Sequence, residues 1–344
     1  MKLILIILDG LSDIPPSTSL QKAKIPNLNF LAKNSQTGLL YPIKNIAPES
    51  GASQFVLLAQ PLSKYPGRGI LEALAVTKIK PNHTYARINF ATFKNNKLLN
   101  IRSPIPSKTL TKKINSLNQK IKIIPTLNYR GILQIKGKYN INNTHPGYQK
   151  FKNYSKAIPS TNKKTKTNLP FLNKFIKQFE KITKKTILIR GSSYSLPKLK
   201  PLKNFSLIAQ TPVEIGLAKL LKMKILKPKN IIQQAISSKN NIYIQLKGPD
   251  TYGHLGNKTL KIKAIEKIDK SLKPLTKLKN TIICITSDHA TPYQLKRHSS
   301  HPVPILIYNG KQKDSISKFT EQACKNGSLK LEGKNLLKLL LSKT

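Results

Sequence analysis

The chain has 344 residues, of which 39% are hydrophobic and none is tryptophan, and it carries 61 Lys+Arg against 13 Asp+Glu, a formal net charge of +48. The length exceeds the size at which a single core usually stops growing, so two domains are expected, and the apolar segments spread along the chain exclude wholesale disorder despite the charge. The lysines run from Lys2 to Lys343 without one dominant block, aromatics are 6%, and no helix-turn-helix, zinc-finger or RNP-like pattern occurs; this argues against specific nucleic-acid binding and leaves non-specific adhesion to polyanions as a side effect.

The opening MKLILIILDG reads as a short buried strand, Leu3–Leu8, ending at Asp9. Its six consecutive apolar residues are too few for a signal-peptide core or a bilayer span, which predicts a cytoplasmic protein with no membrane partner. After a loop holding Pro15 and Pro16, a helix is expected to open near Ile25-Pro26-Asn27, with Leu28 and Leu31 on one face. Residues 46–58 read as a loop feeding a helix, with Ser50 at the loop's end and Gly51, Ala52 and Ser53 letting the backbone approach an anion; the same pattern serves an ordinary helix cap.

From residue 76 to 199 the texture changes, with strand-like runs Ala86–Phe93 and Ile132–Ile135, a polar lysine-rich stretch Ser155–Asn168, and a helix presenting Phe171, Phe175, Phe179 and Ile182. A strand Thr186–Ile189 ends at Arg190-Gly191, and the whole segment reads as an inserted domain. Then come a helix around Val213–Leu221, a strand Ile242–Leu246 leading to Asp250 and His254, and a helix whose buried stripe is expected to be Ala264, Ile265, Ile268 and Leu272. A strand Thr281–Ile285 leads to Asp288 and His289, and a last strand near Pro304–Tyr308 precedes a C-terminal helix with Leu336, Leu337, Leu340 and Leu341. No internal repeat is visible, and Cys284 and Cys324 form no metal or disulfide pattern, which fits a reducing compartment.

Scarcity sharpens the reading. The chain has six Asp and six His, and Asp9, Asp250, Asp288, His254, His289 and His298 make up half of each set. Three of these aspartates follow apolar runs that read as buried parallel strands, and the carboxyl ends of such strands converge on the crevice of an open α/β sheet. Carboxylates and imidazoles gathered there suit a divalent cation. Arginine is the second scarce type, since Lys supplies 55 of the 61 basic residues and only Arg68, Arg87, Arg102, Arg130, Arg190 and Arg297 remain. A guanidinium grips carboxylate or phosphate with two parallel hydrogen bonds, which makes the surviving arginines candidates for anion recognition; stacking or a structural ion pair serves any one of them equally well.

The segments MKLILIILDG, GPDTYGH and ITSDHATPYQLKRHSSHPVPILI, in that order, resemble the alkaline phosphatase superfamily, and within it the archaeal type of cofactor-independent phosphoglycerate mutase. IPNLNFLAKNSQTGLLYPI, IAPES, YPGRGILEAL, ARINFATF and LIRGS extend the similarity over most of the chain. The resemblance implies an α/β fold, an alkaline-phosphatase-like, mostly parallel sheet flanked by helices over residues 1–75 and 200–344, interrupted by a smaller α+β lid over 76–199. It further implies a phosphotransferase with two divalent ions (Mn, Zn, Co or Mg) and no 2,3-bisphosphoglycerate, with Asp250, His254 and His298 around one ion and Asp9, Asp288, His289 and the Ser50 hydroxyl around the other. Ser50 would take the phosphoryl group from 3-phosphoglycerate and return it to the other hydroxyl of the glycerate, while some of Arg87, Arg102, Arg130 and Arg190 of the insert grip the phosphorylated small-molecule substrate; Arg68 either joins them or orders the hinge.

The chain departs from the family pattern at several positions. Gly51 stands where Asp is usual and Gln54 where His is frequent, Ile101 and Ile105 replace expected arginines, and Ile215 replaces a common lysine, so the substrate clamp reads as thinned. His145, near a usual acidic turn, reads as a surface residue. Two alternatives stand beside the mutase: a metal-dependent phosphohydrolase on the same scaffold, and a lysine-rich polyanion-binding protein with a vestigial site. The oligomeric state is not written in the sequence.

Overall fold

The computed structural model describes residues 1–147 and 169–344, so the stretch Ser155–Asn168 lies outside the described residues. Packing divides the chain into two compact units, one of Met1–Tyr65, Leu199–Thr211 and Leu221–Thr344, the other of Pro66–Lys198 and Pro212–Leu220. Helices Arg68–Val76 and Pro212–Leu220, which the sequence reading placed with the first unit, therefore belong to the second.

The first unit is an α/β sandwich around an eight-stranded sheet, ordered Leu329–Glu332, Gln36–Tyr41, Val303–Tyr308, Thr281–Thr286, Lys2–Leu8, Asn241–Leu246, Phe205–Ile208 and Lys224–Leu226. Seven strands run in one direction and Val303–Tyr308 runs against its two neighbours. That reversal follows from the connection: the segment after Thr286 has no helix to carry the chain back across a face, so the next strand starts at the edge where the previous one ended. Leu3 to Leu8 are all fully buried, because helices cover both faces of a central parallel strand and no polar alternation survives. Register then aligns the strand ends, with Leu8 opposite Leu246 and Ile7 opposite Thr286, so residues 9, 247 and 287 leave the sheet at one edge.

Helix Pro26–Lys33 buries Leu28, Leu31 and Ala32, and its N-cap Ile25 has no capping side chain. Asp269 supplies the cap from another helix: its Oδ1 accepts from Leu28 N at 2.7 Å and its Oδ2 from Asn27 Nδ2 at 2.9 Å. Helix Lys258–Leu272 buries Ile265, Ile268 and Leu272, but Lys261 and Asp269 are buried as well, whereas Ala264 is only partly so. Lys261 is sealed from solvent, with its ammonium 2.7 Å from Asp13 Oδ1, 2.9 Å from Thr291 O and 3.2 Å from Ser12 O. Asp13 Oδ1 also accepts from Tyr293 N at 3.0 Å and its Oδ2 from Ser19 N at 2.7 Å, so one buried pair staples the loop after the first strand to the loop after Thr286. The C-terminal helix Gly333–Ser342 buries Leu336, Leu337 and Leu340, while Leu341 is 38% exposed.

The second unit is α+β. Its antiparallel sheet centres on His83–Lys94, which pairs with Arg130–Lys136 on one side and Lys185–Ser193 on the other, with Ile121–Pro125 and Lys97–Asn100 completing it. Helix Pro170–Thr183 packs on it through Leu172, Phe175, Ile176 and Phe179, the i, i+3, i+4, i+7 face; Phe171 and Ile182 lie at the margins. Helices Arg68–Val76 and Pro212–Leu220 press together at Gly216, where a Cβ would stand 1.8 Å from Leu71 O, so only glycine fits. Ile101 is buried against Ala91, Leu98 and Leu188, and Ile105 packs on the main apolar cluster. Ile101 is thus a core residue of the unit, and Ile105 a partly buried one at the edge of its apolar cluster.

Removal of one partner from a buried ion pair strands the other in a low-dielectric interior. Lys261→Met is expected to lower unfolding free energy by about 3–5 kcal/mol, read from urea denaturation of the metal-free protein; a loss below about 1 kcal/mol would show that the pair contributes little beyond what packing supplies.

Candidate metal centre

The aligned strand ends set the centre. Asp9 directly follows the first strand, Asp250 lies in the first turn of helix Pro249–Leu255 after the strand Asn241–Leu246, and Asp288 and His289 follow Thr281–Thr286. His254 lies one helical turn beyond Asp250, and His298 returns from the long loop before Val303. The six form two clusters, Asp250/His254/His298 and Asp9/Asp288/His289, each with its ligand atoms within 4.8 Å of one another. Ser50 is the first residue of helix Ser50–Leu57, and its Oγ sits 3.1 Å from His289 Nε2. The sequence reading had named all seven, and the fold brings all seven together.

Each imidazole is held by its other nitrogen. His254 Nδ1 lies 3.1 Å from Lys296 O and His298 Nδ1 lies 2.7 Å from Pro48 O. A carbonyl only accepts, so both Nδ1 atoms carry the hydrogen, and both Nε2 atoms face Asp250 Oδ1, at 3.3 and 3.4 Å. With the Nδ1 hydrogens fixed, an Nε2 meeting a carboxylate requires positive charge between them, either a further proton or a metal ion. The rings of His298 and His289 stack at 3.7 Å between centroids, which puts the two clusters side by side.

The second cluster is almost dry: Asp288 and His289 are fully buried and Asp9 is 3% exposed. Burial, together with the neighbouring Asp9 carboxylate, pushes Asp288 well above the ordinary carboxylate range. Burial also works to raise Asp9, but the Lys247 ammonium, 2.7 Å from its Oδ2, and His289 outweigh it and hold the group at about 2. Asp9 Oδ1 is buried and accepts no hydrogen bond among the described residues, and it lies 3.3 Å from His289 Nε2. A divalent ion would satisfy that oxygen and relieve the carboxylate repulsion, and oxygen donors mixed with imidazole suit such an ion. The residues present fit a metal.

The sequence reading named Gln54, Ser53 and the Asp9-Gly10 pair without their roles here, and it did not single out Tyr243 or Lys247. Gln54 Nε2 donates to Asp288 Oδ2 at 3.1 Å, and Tyr243 OH donates to Gln54 Oε1 at 2.9 Å, so the amide that replaces the expected histidine orients an acid. Ser53 Oγ donates to the backbone carbonyl of Asp288. Lys247, three residues before Asp250, was hidden among 55 lysines. Gly10, at φ +62°, lets the chain turn under Asp250, where a Cβ would come within 2.7 Å of the Asp250 backbone.

The arginines gather in the second unit. Arg87 pairs in register with Arg190 on one neighbouring strand, and Asn89 with Arg130 on the other. Arg102 and Arg130 lie over the Tyr129 ring, 5.6 and 5.1 Å from its centroid, and Arg68 pairs with the buried Glu72 one turn along its helix. Burial first, and then the charges of Arg68, Arg130 and Arg190, lower Arg87 to about 9 against the pull of Glu72. A cluster with this excess of positive charge favours an anion. Glu72 was legible as the i+4 partner of Arg68 in GRGILEAL but was not singled out. His145 is not a plain surface residue: it is half-buried, its Nε2 3.1 Å from Asn89 Nδ2, and Asn89 Oδ1 accepts from Arg87.

Among the described residues no helix is long and apolar enough to cross a membrane. A family model described as the metalloenzyme superfamily matches residues 1–343. A protein of Thermosipho melanesiensis named a probable 2,3-bisphosphoglycerate-independent phosphoglycerate mutase is 34% identical over 365 residues, covering 95% of this chain and 90% of the relative. One of Aquifex aeolicus with the same name is 32% identical, covering 95% and 91%. Among solved structures, a protein of Pyrococcus horikoshii superposes with a TM-score of 0.81 at 21% identity over 100% of this chain and 98% of that one. The cofactor-independent phosphoglycerate mutase of Thermoplasma acidophilum gives 0.63 at 24% identity over 99% of each. These two likenesses speak for the fold, while the matches along nearly the whole sequence place the chain in the metalloenzyme superfamily, in the family of 2,3-bisphosphoglycerate-independent phosphoglycerate mutases.

Proposed function

We propose that the protein interconverts 3-phosphoglycerate and 2-phosphoglycerate through a phosphoserine at Ser50, with two divalent cations and no 2,3-bisphosphoglycerate. The observation that carries this reading is the Ser50 hydroxyl at a helix N-terminus, 3.1 Å from His289 Nε2 and beside two adjoining sets of metal-type donors. Asp250, His254 and His298 would hold one cation, and Asp9, Asp288, His289 and Ser50 the other. When bound, the cations would lower the pKa of the serine hydroxyl and neutralise charge on the phosphoryl oxygens.

The remaining chemistry belongs to the chain. Ser50 Oγ, having lost its proton, bonds to phosphorus as the bond to the substrate's 3-oxygen breaks, and that oxygen takes up a proton. The 2-hydroxyl then loses its proton and attacks the phosphoserine, the Oγ–phosphorus bond breaks, and Ser50 is restored. The N–H groups of the first turn of helix Ser50–Leu57, which has no side-chain cap among the described residues, favour the phosphoryl anion. Retention of the glycerate between the two transfers separates a mutase from a phosphatase, and we assign that task to Arg87, Arg102, Arg130 and Arg190, with Arg68 oriented by Glu72. A glycolytic role in the cytoplasm accords with this reading.

Ser50→Ala is expected to abolish conversion of 3-phosphoglycerate while leaving the circular dichroism spectrum unchanged; residual turnover above about 1% with label on Ser53 would move the nucleophile. Exhaustive chelation is expected to lower the melting temperature and remove activity, and Mn²⁺ should restore both, since a ligand bound only to the native state adds to its stability. Arg87→Met removes a charge-assisted contact worth about 1.5–3 kcal/mol, so KM is expected to rise by about 10- to 150-fold and the ratio of free phosphate to 2-phosphoglycerate to increase. Free phosphate as the main product of the parent enzyme would favour the phosphohydrolase instead.

A further inference from the structure

Thr291 ligates neither cluster, yet it touches both. Its Oγ1 donates to Asp250 Oδ1 at 2.7 Å and lies 3.0 Å from His289 Nδ1. A hydroxyl has one proton. With that proton committed to Asp250, the oxygen accepts from His289 Nδ1–H, and His289 Nε2 is left to present a lone pair toward Ser50 Oγ, Asp9 and Asp288. We propose that Thr291 is a positioning residue that fixes the His289 tautomer and locks the two ligand clusters into one unit, an inference that rests on the two-cation reading above.

The surroundings pack closely around this side chain. Thr291 is fully buried, and its Oγ1 fits a space that a Cβ on Gly10 would invade at 2.6 Å. Its methyl Cγ2 fits against Gly253, where a Cβ would come within 2.9 Å. Its carbonyl accepts from the buried Lys261 ammonium at 2.9 Å, which fixes the backbone as well. Valine would keep the shape and remove both hydrogen bonds. Asp250 Oδ1 would then lose a donor, and the His289 proton would move to Nε2, where Asp9, Asp288 and Ser50 offer acceptors. One substitution outside both ligand sets would impair both.

The test titrates chelator-treated parent, Thr291→Val and Thr291→Ser with cobalt(II), following calorimetry and the cobalt absorption bands, and records the His289 tautomer in the metal-free proteins by ¹⁵N NMR. The parent is expected to bind two ions and carry the His289 proton on Nδ1. Thr291→Val should weaken both ions by about 10- to 100-fold, the range for loss of a group that orients metal ligands, with the proton on Nε2. Thr291→Ser, which keeps the hydroxyl, should behave as the parent. Two ions bound equally tightly by parent and Thr291→Val, or weakening of one ion alone, would overturn the inference and leave the two-cation reading standing. Fewer than two ions in the parent would overturn both. If Thr291→Val does not fold, an Nε2–H tautomer of His289 in the metal-free parent overturns the inference by itself.

Discussion

Three carboxylates at the ends of three adjacent parallel strands are the constraint around which the first unit is built. Asp9, Asp250 and Asp288 leave the sheet at one edge because register aligns their strands, and unsupported carboxylates so close together repel. Lys247, the three histidines and the place for a cation answer that repulsion, and the residues behind them keep the answer in position. Carbonyls of Lys296 and Pro48 hold two imidazoles, and Gln54, backed by Tyr243, holds Asp288. The buried Lys261–Asp13 pair clamps the loops that carry these groups.

The same logic explains what became of the scarce acids. All six aspartates have defined tasks: three in the centre, Asp13 in the staple, Asp269 as a cap for a neighbouring helix, and Asp314 accepting from the Thr37 backbone N–H at 2.6 Å. Solvated faces carry lysine instead, where a long mobile cation costs little. The excess of +48 therefore describes the surface, while the buried charged side chains are mostly acids, Asp9, Asp13, Glu72, Glu214, Asp269, Asp288 and Glu321 against Arg87 and Lys261. Arginine follows a parallel division, since five of the six lie in the second unit around Glu72, Asn89 and Tyr129.

Much of this was legible in the chain. Apolar runs located the central strands, because a strand covered on both faces shows no alternation, and scarcity marked the residues of the centre. The detail of helix faces was less legible, because more than one stripe of a helix can be apolar. The expected face Phe171, Phe175, Phe179 and Ile182 of helix Pro170–Thr183 held at Phe175 and Phe179 but overlooked Leu172 and Ile176, and Ile101, read only as a replaced arginine, is also part of an apolar core. The boundary between units was missed at Arg68–Val76 and Pro212–Leu220, two helices far apart in sequence whose pairing depends on a backbone approach at Gly216.

Residue identity and local order were enough to mark Asp9, Asp250 and Asp288 just beyond three strands and to single out the scarce histidines, since Asp and His are chemically distinctive, while the grouping of these residues and the part of Ser50 came with the family resemblance. Which lysine among 55 would meet Asp9, which glutamine would orient Asp288, and which threonine would join two clusters were decided only by tertiary structure. Hydrogen bonds of that kind depend on distances of about 3 Å between groups tens to hundreds of residues apart, and no local pattern encodes them.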